Sequence, residues 1–385
     1  MHNFTYHNPV KIAFGKNSIN KLGELLTPNQ KILLAYGGGS IKSNGVYQQI
    51  IDSLTGHQIF EFAGIEANPE YDTLVKAINI CKTEKIDFIL AVGGGSVIDG
   101  CKLIALASHY DGEAWDILTN PTLDISSAIP FGTVLTLPAT GSEMNCGSVI
   151  SRRSIGAKLS FGNPLVYPKF SILDPEVTYT LPKRQLQNGI IDPFIHVTEQ
   201  YLTTNINTDI QDGFAETVLK TLVKVGKDIV NGSTNYDTRA NWMWAATNAL
   251  NGIIGVGVDQ DWATHMIGHE LTAAYNLDHA QTLAIVAPQL WRFQFEAKMS
   301  KLAKFGRNVW GLENLEDKLV ATQAIIMTEE FFRSLDVAIK LSDYNINCEP
   351  EIIADALFTH NNTNLGENKA IDKEAVIHIL TKAQS

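Results

Sequence analysis

The chain has 385 residues, 45% of them hydrophobic and 18% charged, which is enough material for two hydrophobic cores. A formal net charge of -11, with no Lys/Arg run anywhere, excludes a nucleic-acid backbone as the partner. Cys81, Cys101, Cys146 and Cys348 lack a CxxC or paired spacing, which excludes a disulfide framework and a thiolate metal cage and leads us to expect a reducing cytoplasm.

The N-terminal Met1-His2-Asn3-Phe4 has no basic segment leading into an apolar one. No apolar run approaches the roughly 18 to 20 residues that cross a bilayer, so neither export nor a membrane partner is expected.

In chain order, short apolar runs at 31–36, 58–62, 87–92 and 133–137 read as buried strands. Between them Leu74, Ala77, Ile78 and Cys81, then Val97, Cys101, Ile104 and Ala105, recur at helical spacing. This alternation predicts a Rossmann-like parallel sheet in an α/β domain over residues 1–180. After Leu181-Pro182 the strand signal ends, and helical patterns cover 210–230, 238–254, 262–274, 282–297 and 321–334. Residues 181–385 are therefore expected to form an all-α domain.

Two of the strands end on glycines: Gly37-Gly38-Gly39-Ser40 follows the first, and Gly93-Gly94-Gly95-Ser96 follows the third. Each precedes a helical pattern, where free N–H groups and bare backbone can receive a phosphate. Neither loop fits G-x-G-x-x-G or the P-loop, so a dinucleotide would bind through another arrangement. The first loop carries no carboxylate for a ribose 2′-hydroxyl. Backbone N–H groups, Ser40 and Lys42 would instead suit a 2′-phosphate, and the expected cofactor is NADP(H).

Three of the ten histidines, His265, His269 and His279, fall within fifteen residues. His265 and His269 share a helix face, Asp278-His279 opens the next helix, and upstream Asp192 and His196 are again four apart. One carboxylate with three imidazoles suits Fe2+ or Zn2+ better than Ca2+ or Mg2+. Spacing alone does not decide between His265 and His269, and the H-E-x-x-H pattern of zinc peptidases fails from either.

These stretches, together with Thr136-Leu137-Pro138-Ala139-Thr140-Gly141-Ser142-Glu143 and Leu173-Asp174-Pro175, make the sequence resemble the iron-containing (group III) alcohol dehydrogenases along nearly its whole length. Within them it is most similar to the NADPH-dependent aldehyde reductase and butanol dehydrogenase branch. The resemblance implies a two-domain, dehydroquinate synthase-like architecture, a small aldehyde or alcohol substrate and a homodimer.

By the same resemblance Asp192, His196, His265 and His279 would bind the metal, and His269 would face substrate as the candidate proton relay. Gly37, Gly38, Gly39, Ser40, Gly94, Gly95, Ser96, Asp99, Thr136, Thr140, Asn145 and Lys158 would line the cofactor, with Lys158 near the nicotinamide ribose.

The nearest other activities are an NAD-linked polyol dehydrogenase and a dehydroquinate-synthase-like lyase. The lyase needs several basic groups for an acidic substrate, whereas Phe194, Ile253, Ile254, Trp262 and Met266 predict an apolar mouth. One residue departs from the family pattern: Pro193 follows the first ligand position. Either Asp192 is an N-cap with Pro193 in the first helical position, or Pro193 kinks a longer helix that begins near Gln187.

Overall fold

The computed structural model describes residues 1–360 and 364–385, and these divide into two compact units. His7–Leu181 and Thr234–Met243 form one; Met1–Tyr6, Pro182–Ser233 and Trp244–Ser385 form the other. The main division thus follows Leu181, but two short segments depart from a single cut. The first six residues join the helical unit, where Met1 donates to the Ile206 carbonyl at 2.7 Å and the His2 amide to the Gly257 carbonyl at 2.9 Å.

The α/β unit holds β1 (Lys11–Phe14), β2 (Lys31–Tyr36), β3 (Gln58–Phe62), β4 (Phe88–Gly94), β5 (Phe131–Leu137), β6 (Gly147–Arg152), β7 (Ala157–Gly162) and β8 (Phe170–Leu173). Six of them make one parallel sheet in the order β1-β8-β5-β4-β2-β3, and β6 pairs with β7 as an antiparallel hairpin. Alternate residues of β2 and β4 enter opposite cores: Leu33, Ala35, Ile89 and Ala91 pack on one face, Ile32, Leu34, Phe88 and Leu90 on the other. Burial on both faces is why these strands read as unbroken apolar runs. Each fully buried Leu or Ile contributes about 1.5 to 3 kcal/mol.

The sheet has a reversal point. From β2 the chain adds β3 on one side, then crosses back to place β4 on the other side of β2. Ligands of open parallel sheets collect beyond the carboxyl ends of strands at such a reversal. The two glycine-rich stretches lie there side by side, since Tyr36 at the end of β2 pairs with Val92 of β4.

The second unit is helical. Its helices span Lys183–Tyr201, Asp209–Val230, Ala263–Tyr275, His279–Phe293, Phe295–Trp310, Asp317–Ser334, Pro350–His360 and Lys373–Ala383, while Tyr236–Ala249 starts in the α/β unit and ends in this one. Two sequence expectations need correction. The run expected at 282–297 is broken at Gln294, which caps one helix and starts the next, and the helix expected at 238–254 stops at Ala249. Among the described residues no helix is long and apolar enough to cross a membrane.

Pro193 lies inside Lys183–Tyr201, so Asp192 is not an N-cap and the helix begins ahead of Gln187. A proline cannot donate to the carbonyl four residues earlier, and its ring crowds that carbonyl. The residue there is Gly189, which lacks the Cβ that would stiffen the adjustment. Because Asp192 and His196 still converge below, Pro193→Ala is expected to leave metal stoichiometry unchanged, as measured by elemental analysis of the purified protein.

Candidate metal centre and dinucleotide cradle

Three elements of the helical unit converge on one carboxylate oxygen. Lys183–Tyr201 presents Asp192 and His196, Ala263–Tyr275 presents His265 and His269, and His279 is the first residue of its helix. That last helix start is fixed by Gln281, which accepts from the Asp278 amide at 2.9 Å, and by Arg184, whose guanidinium forks onto the Asp278 carboxylate.

The Nε2 atoms of His196, His265 and His279 lie 3.6, 3.6 and 3.8 Å from Asp192 Oδ1. Asp192, His265 and His279 form a trio whose ligand atoms all lie within 4.8 Å of one another. His196 approaches the same oxygen with its ring stacked on His265, centroids 4.6 Å apart. Around a tetrahedral ion with bonds of about 2.1 Å, donor atoms stand about 3.4 Å apart, close to this spacing.

Asp192 Oδ1 and His265 Nε2 are buried and make no hydrogen bond, an expensive arrangement unless something else satisfies both. A divalent ion does so, and the donor set of one carboxylate and imidazoles suits Fe2+ or Zn2+. His269 lies outside the trio. Its ring is 5.0 Å from that of His279 and 6.3 Å from that of His265.

The electrostatics match a shared positive charge. Burial pushes His196 down to about 4, keeping it neutral. Burial also pulls His265 down, but Glu199 and Asp192 outweigh it and raise it to about 9. Burial would raise Asp192; the surrounding imidazoles instead hold its carboxyl well below the usual carboxylate range.

Glu199, which the sequence reading passed over, lies on the same helix face as Asp192 and His196, three residues beyond His196. One of its oxygens bonds His265 Nδ1, and the other accepts from the Thr264 amide at 2.7 Å. This fixes the ring and directs Nε2 toward Asp192, as carboxylates behind metal-bound histidines do. Glu199→Gln is expected to weaken metal binding about 10- to 100-fold, measured by competition with a chelator of known affinity.

The apolar mouth needs partial correction. Phe194 is fully buried among Phe305, Trp310, Phe331 and Phe332, and Ile254 is also buried. Phe194 is two residues past Asp192, so it leaves the opposite side of the helix and enters the core. Trp262 does stand at the site, its ring 5.4 Å from that of His265 and 6.1 Å from that of His196.

In the α/β unit the second glycine stretch is almost no loop at all: β4 runs to Gly94 and a 13-residue helix starts at Gly95. A Cβ on Gly95 would lie 2.3 Å from Thr140 Oγ1, so only glycine permits this approach. At the first stretch, a Cβ on Gly38 would meet nothing within 4 Å, leaving open space over the backbone, and Gly39 has φ +94°. The strand end and the helix start together fit a phosphate cradle.

Several expected cofactor residues also hold the cradle together. Asp99 is partly buried, accepting from Ser142 Oγ and, at 2.9 Å, from the Val149 amide. Asn145 donates to the Gly141 carbonyl at 2.9 Å. Ser96 Oγ accepts from the Asn68 amide at 3.3 Å, and Lys158 donates to Asn68 Oδ1 at 3.0 Å. Thr140 Oγ1 accepts from the Ser142 amide at 3.2 Å, Thr136 lies within β5, and Ser40 begins a short helical turn.

Two further residues emerge only in three dimensions. Asn68 ties Ser96 to Lys158, and Lys102, fully buried, donates to Ser142, Asn145 and the Gly147 carbonyl. Burial pushes the Lys102 ammonium down to about 8. Its only sequence signal is its place one helical turn after Asp99.

The end of β2 bears no acid, but β3 brings Glu61 next to it. The Glu61 oxygens are taken by Tyr36 at 2.8 Å, by Tyr47, and by Lys42 at 3.3 Å. Lys42 therefore keeps its charge beside the glycines.

A Rossmann-like sheet with glycine-rich strand ends at its reversal point, in one chain with a buried Asp-His cluster, fits a metal-centred dinucleotide enzyme. Family profiles make this specific: "Iron-containing alcohol dehydrogenase" matches residues 9–175, and "Fe-containing alcohol dehydrogenase family, C-terminal" matches residues 187–384.

The NADPH-dependent aldehyde reductase YqhD of Escherichia coli K12 is 49% identical over 96% of this chain and 97% of its own. A probable NADH-dependent butanol dehydrogenase 1 of Bacillus subtilis 168 is 43% identical over 99% of each. The crystal structure of E. coli K-12 YqhD superposes with a TM-score of 0.97 at 47% identity, over 100% of this chain and 99% of that one. The NADH-dependent butanol dehydrogenase A of Thermotoga maritima gives 0.94 at 34% identity, with coverage of 100% and 99%. The chain belongs to the iron-containing alcohol dehydrogenase family, and its reaction is the interconversion of alcohol and aldehyde.

Proposed function

We propose that the chain is an NADP(H)-linked aldehyde reductase that acts on small aldehydes with one divalent ion, Fe2+ or Zn2+, held by Asp192, His196, His265 and His279. The observation that carries this reading is the convergence of three imidazole Nε2 atoms on Asp192 Oδ1, at 3.6 to 3.8 Å, in a buried site.

When bound, the ion supplies Lewis acidity to a carbonyl and the nicotinamide supplies hydride. The residues do the rest. Glu199 holds the His265 tautomer, so the ring offers its Nε2 lone pair inward. His269, one turn beyond His265 and beside His279, would move the single proton that reduction requires. Gly38 and Gly39 admit phosphate to bare backbone, with the Lys42 ammonium nearby and Glu61 already engaged. The first relative named above carries NADPH in its name and supports the same choice.

The test is a panel of three- to eight-carbon aldehydes with NADPH and NADH, on protein of known metal content. NADPH oxidation with several aldehydes, at higher kcat/KM than NADH gives, is expected. Reduction of none of them would remove the reading, and a preference for NADH would remove its cofactor assignment.

A further inference from the structure

Trp262 has φ +63° and ψ 2°. Among the described residues the other non-glycines with positive φ are Asn, Asp and Lys, and Trp262 is the one large ring. A bulky side chain is strained there, and such strain persists only where the surroundings over-determine it, most often at functional sites.

The surroundings do so here. The Asp261 amide donates to the Glu199 carbonyl at 2.9 Å, and the Ala263 amide donates back to Asp261 Oδ1 at 3.0 Å. Asp261 Oδ2 pairs at 2.8 Å with Lys298, a buried ammonium that also holds Glu367 and the Leu202 carbonyl at 2.7 Å each. The indole N–H is turned aside to Gln260 Oε1 at 2.9 Å. The residues on either side of Trp262 are thereby held, Asp261 by its amide on the backbone of Glu199, the residue that orients His265, and Ala263 by its amide on Asp261.

The indole thus stands 5.4 Å from the His265 ring in an edge-to-face arrangement and 6.1 Å from the His196 ring at a tilt, with part of its surface exposed. Trp262 is the N-cap of the helix that carries His265 and His269, and its ring neighbours those of His265 and His196, while the His269 ring neighbours those of His265 and His279.

We infer that Trp262 is a specificity-determining residue, an apolar wall held in a strained backbone that limits the length of the aldehyde chain beside the metal. The inference rests on the aldehyde reductase reading above. Gly would occupy this backbone without strain and Asn with less than Trp, so the turn itself does not call for an indole.

Two measurements test it. Metal-stripped full-length protein is titrated with Co2+ alone while tryptophan emission is followed. Quenching is expected in the parent, with a clearly smaller amplitude in Trp262→Phe at equal Co2+ stoichiometry; equal amplitudes would overturn the placement of the indole. In the second, kcat/KM is compared between three- and eight-carbon aldehydes for the parent, Trp262→Gly, Trp262→Asn and Trp262→Phe.

The eight- to three-carbon ratio is expected to rise about tenfold or more in the Gly and Asn variants, with Phe close to the parent. An unchanged ratio in variants that retain metal overturns this inference alone. A parent inactive on every aldehyde overturns the aldehyde reductase reading and this inference with it. Should Gly fold poorly, Asn supplies the same comparison.

Discussion

His265→Ala is expected to lose bound metal and turnover together, with kcat/KM falling about a thousandfold or more. Loss of the ion removes several kcal/mol of charge stabilisation at the reacting carbonyl, and each 1.36 kcal/mol is tenfold in rate. His265 is the sharpest probe because its ring stands at the centre of the cluster: Nε2 faces Asp192 at 3.6 Å, Nδ1 is bound by Glu199, and the ring stacks on His196. Its removal also leaves the Glu199 carboxylate buried without its imidazole partner, which destabilises the site further.

His269→Ala is the matched control. It is not one of the four proposed ligands, so metal content should match the parent while turnover falls by about 100-fold or more, the range of a lost proton-transfer group. Elemental analysis alongside NADPH oxidation separates the two variants. Metal-free His265→Ala with parental turnover would contradict the mechanism.

Gly38→Asp is expected to move the NADP(H)/NAD(H) preference toward NAD(H) by about 10- to 100-fold. A Cβ there meets nothing within 4 Å, so the new side chain fits without displacing its neighbours, whereas Gly39 at φ +94° would add backbone strain and confuse the result. The carboxylate would repel a 2′-phosphate and accept from a 2′-hydroxyl. A like-charge conflict in this open setting amounts to about 1.4 to 2.8 kcal/mol, which is the stated ratio. Glu61 does not already play this part, because Tyr36, Tyr47 and Lys42 occupy its oxygens. The ratio of kcat/KM for the two cofactors is the measurement, and an unchanged ratio would mean that the adenosine ribose lies elsewhere.

Much of the fold was legible because burial on two faces writes β2, β4 and β5 as mainly apolar runs, while β3, at the sheet edge, kept enough Ile and Phe to read as a strand. β1 and β8 escaped notice because they are only four residues long, and the β6–β7 hairpin because its alternation is partly polar. The Asp192–His196 and His265–His269 pairs stood out because helical spacing places each on one face.

Glu199, Asn68 and Lys102 did not stand out, for a common physical reason. Each acts through a partner distant in sequence, and a Glu or Lys on a helix reads as a solvated face until burial is known. Trp262 read simply as an apolar residue near the ligands, since no sequence pattern announces a positive φ at tryptophan.

The central claim is that turnover depends on an ion held by the Asp192 cluster. The direct test is to strip the protein of metal, reload it stepwise with Fe2+ or Zn2+, and follow NADPH oxidation by a short aldehyde against measured occupancy. Turnover is expected to be absent in the stripped protein and to rise in proportion to occupancy, reaching its plateau at one ion per chain. Full turnover in the stripped protein would contradict the account.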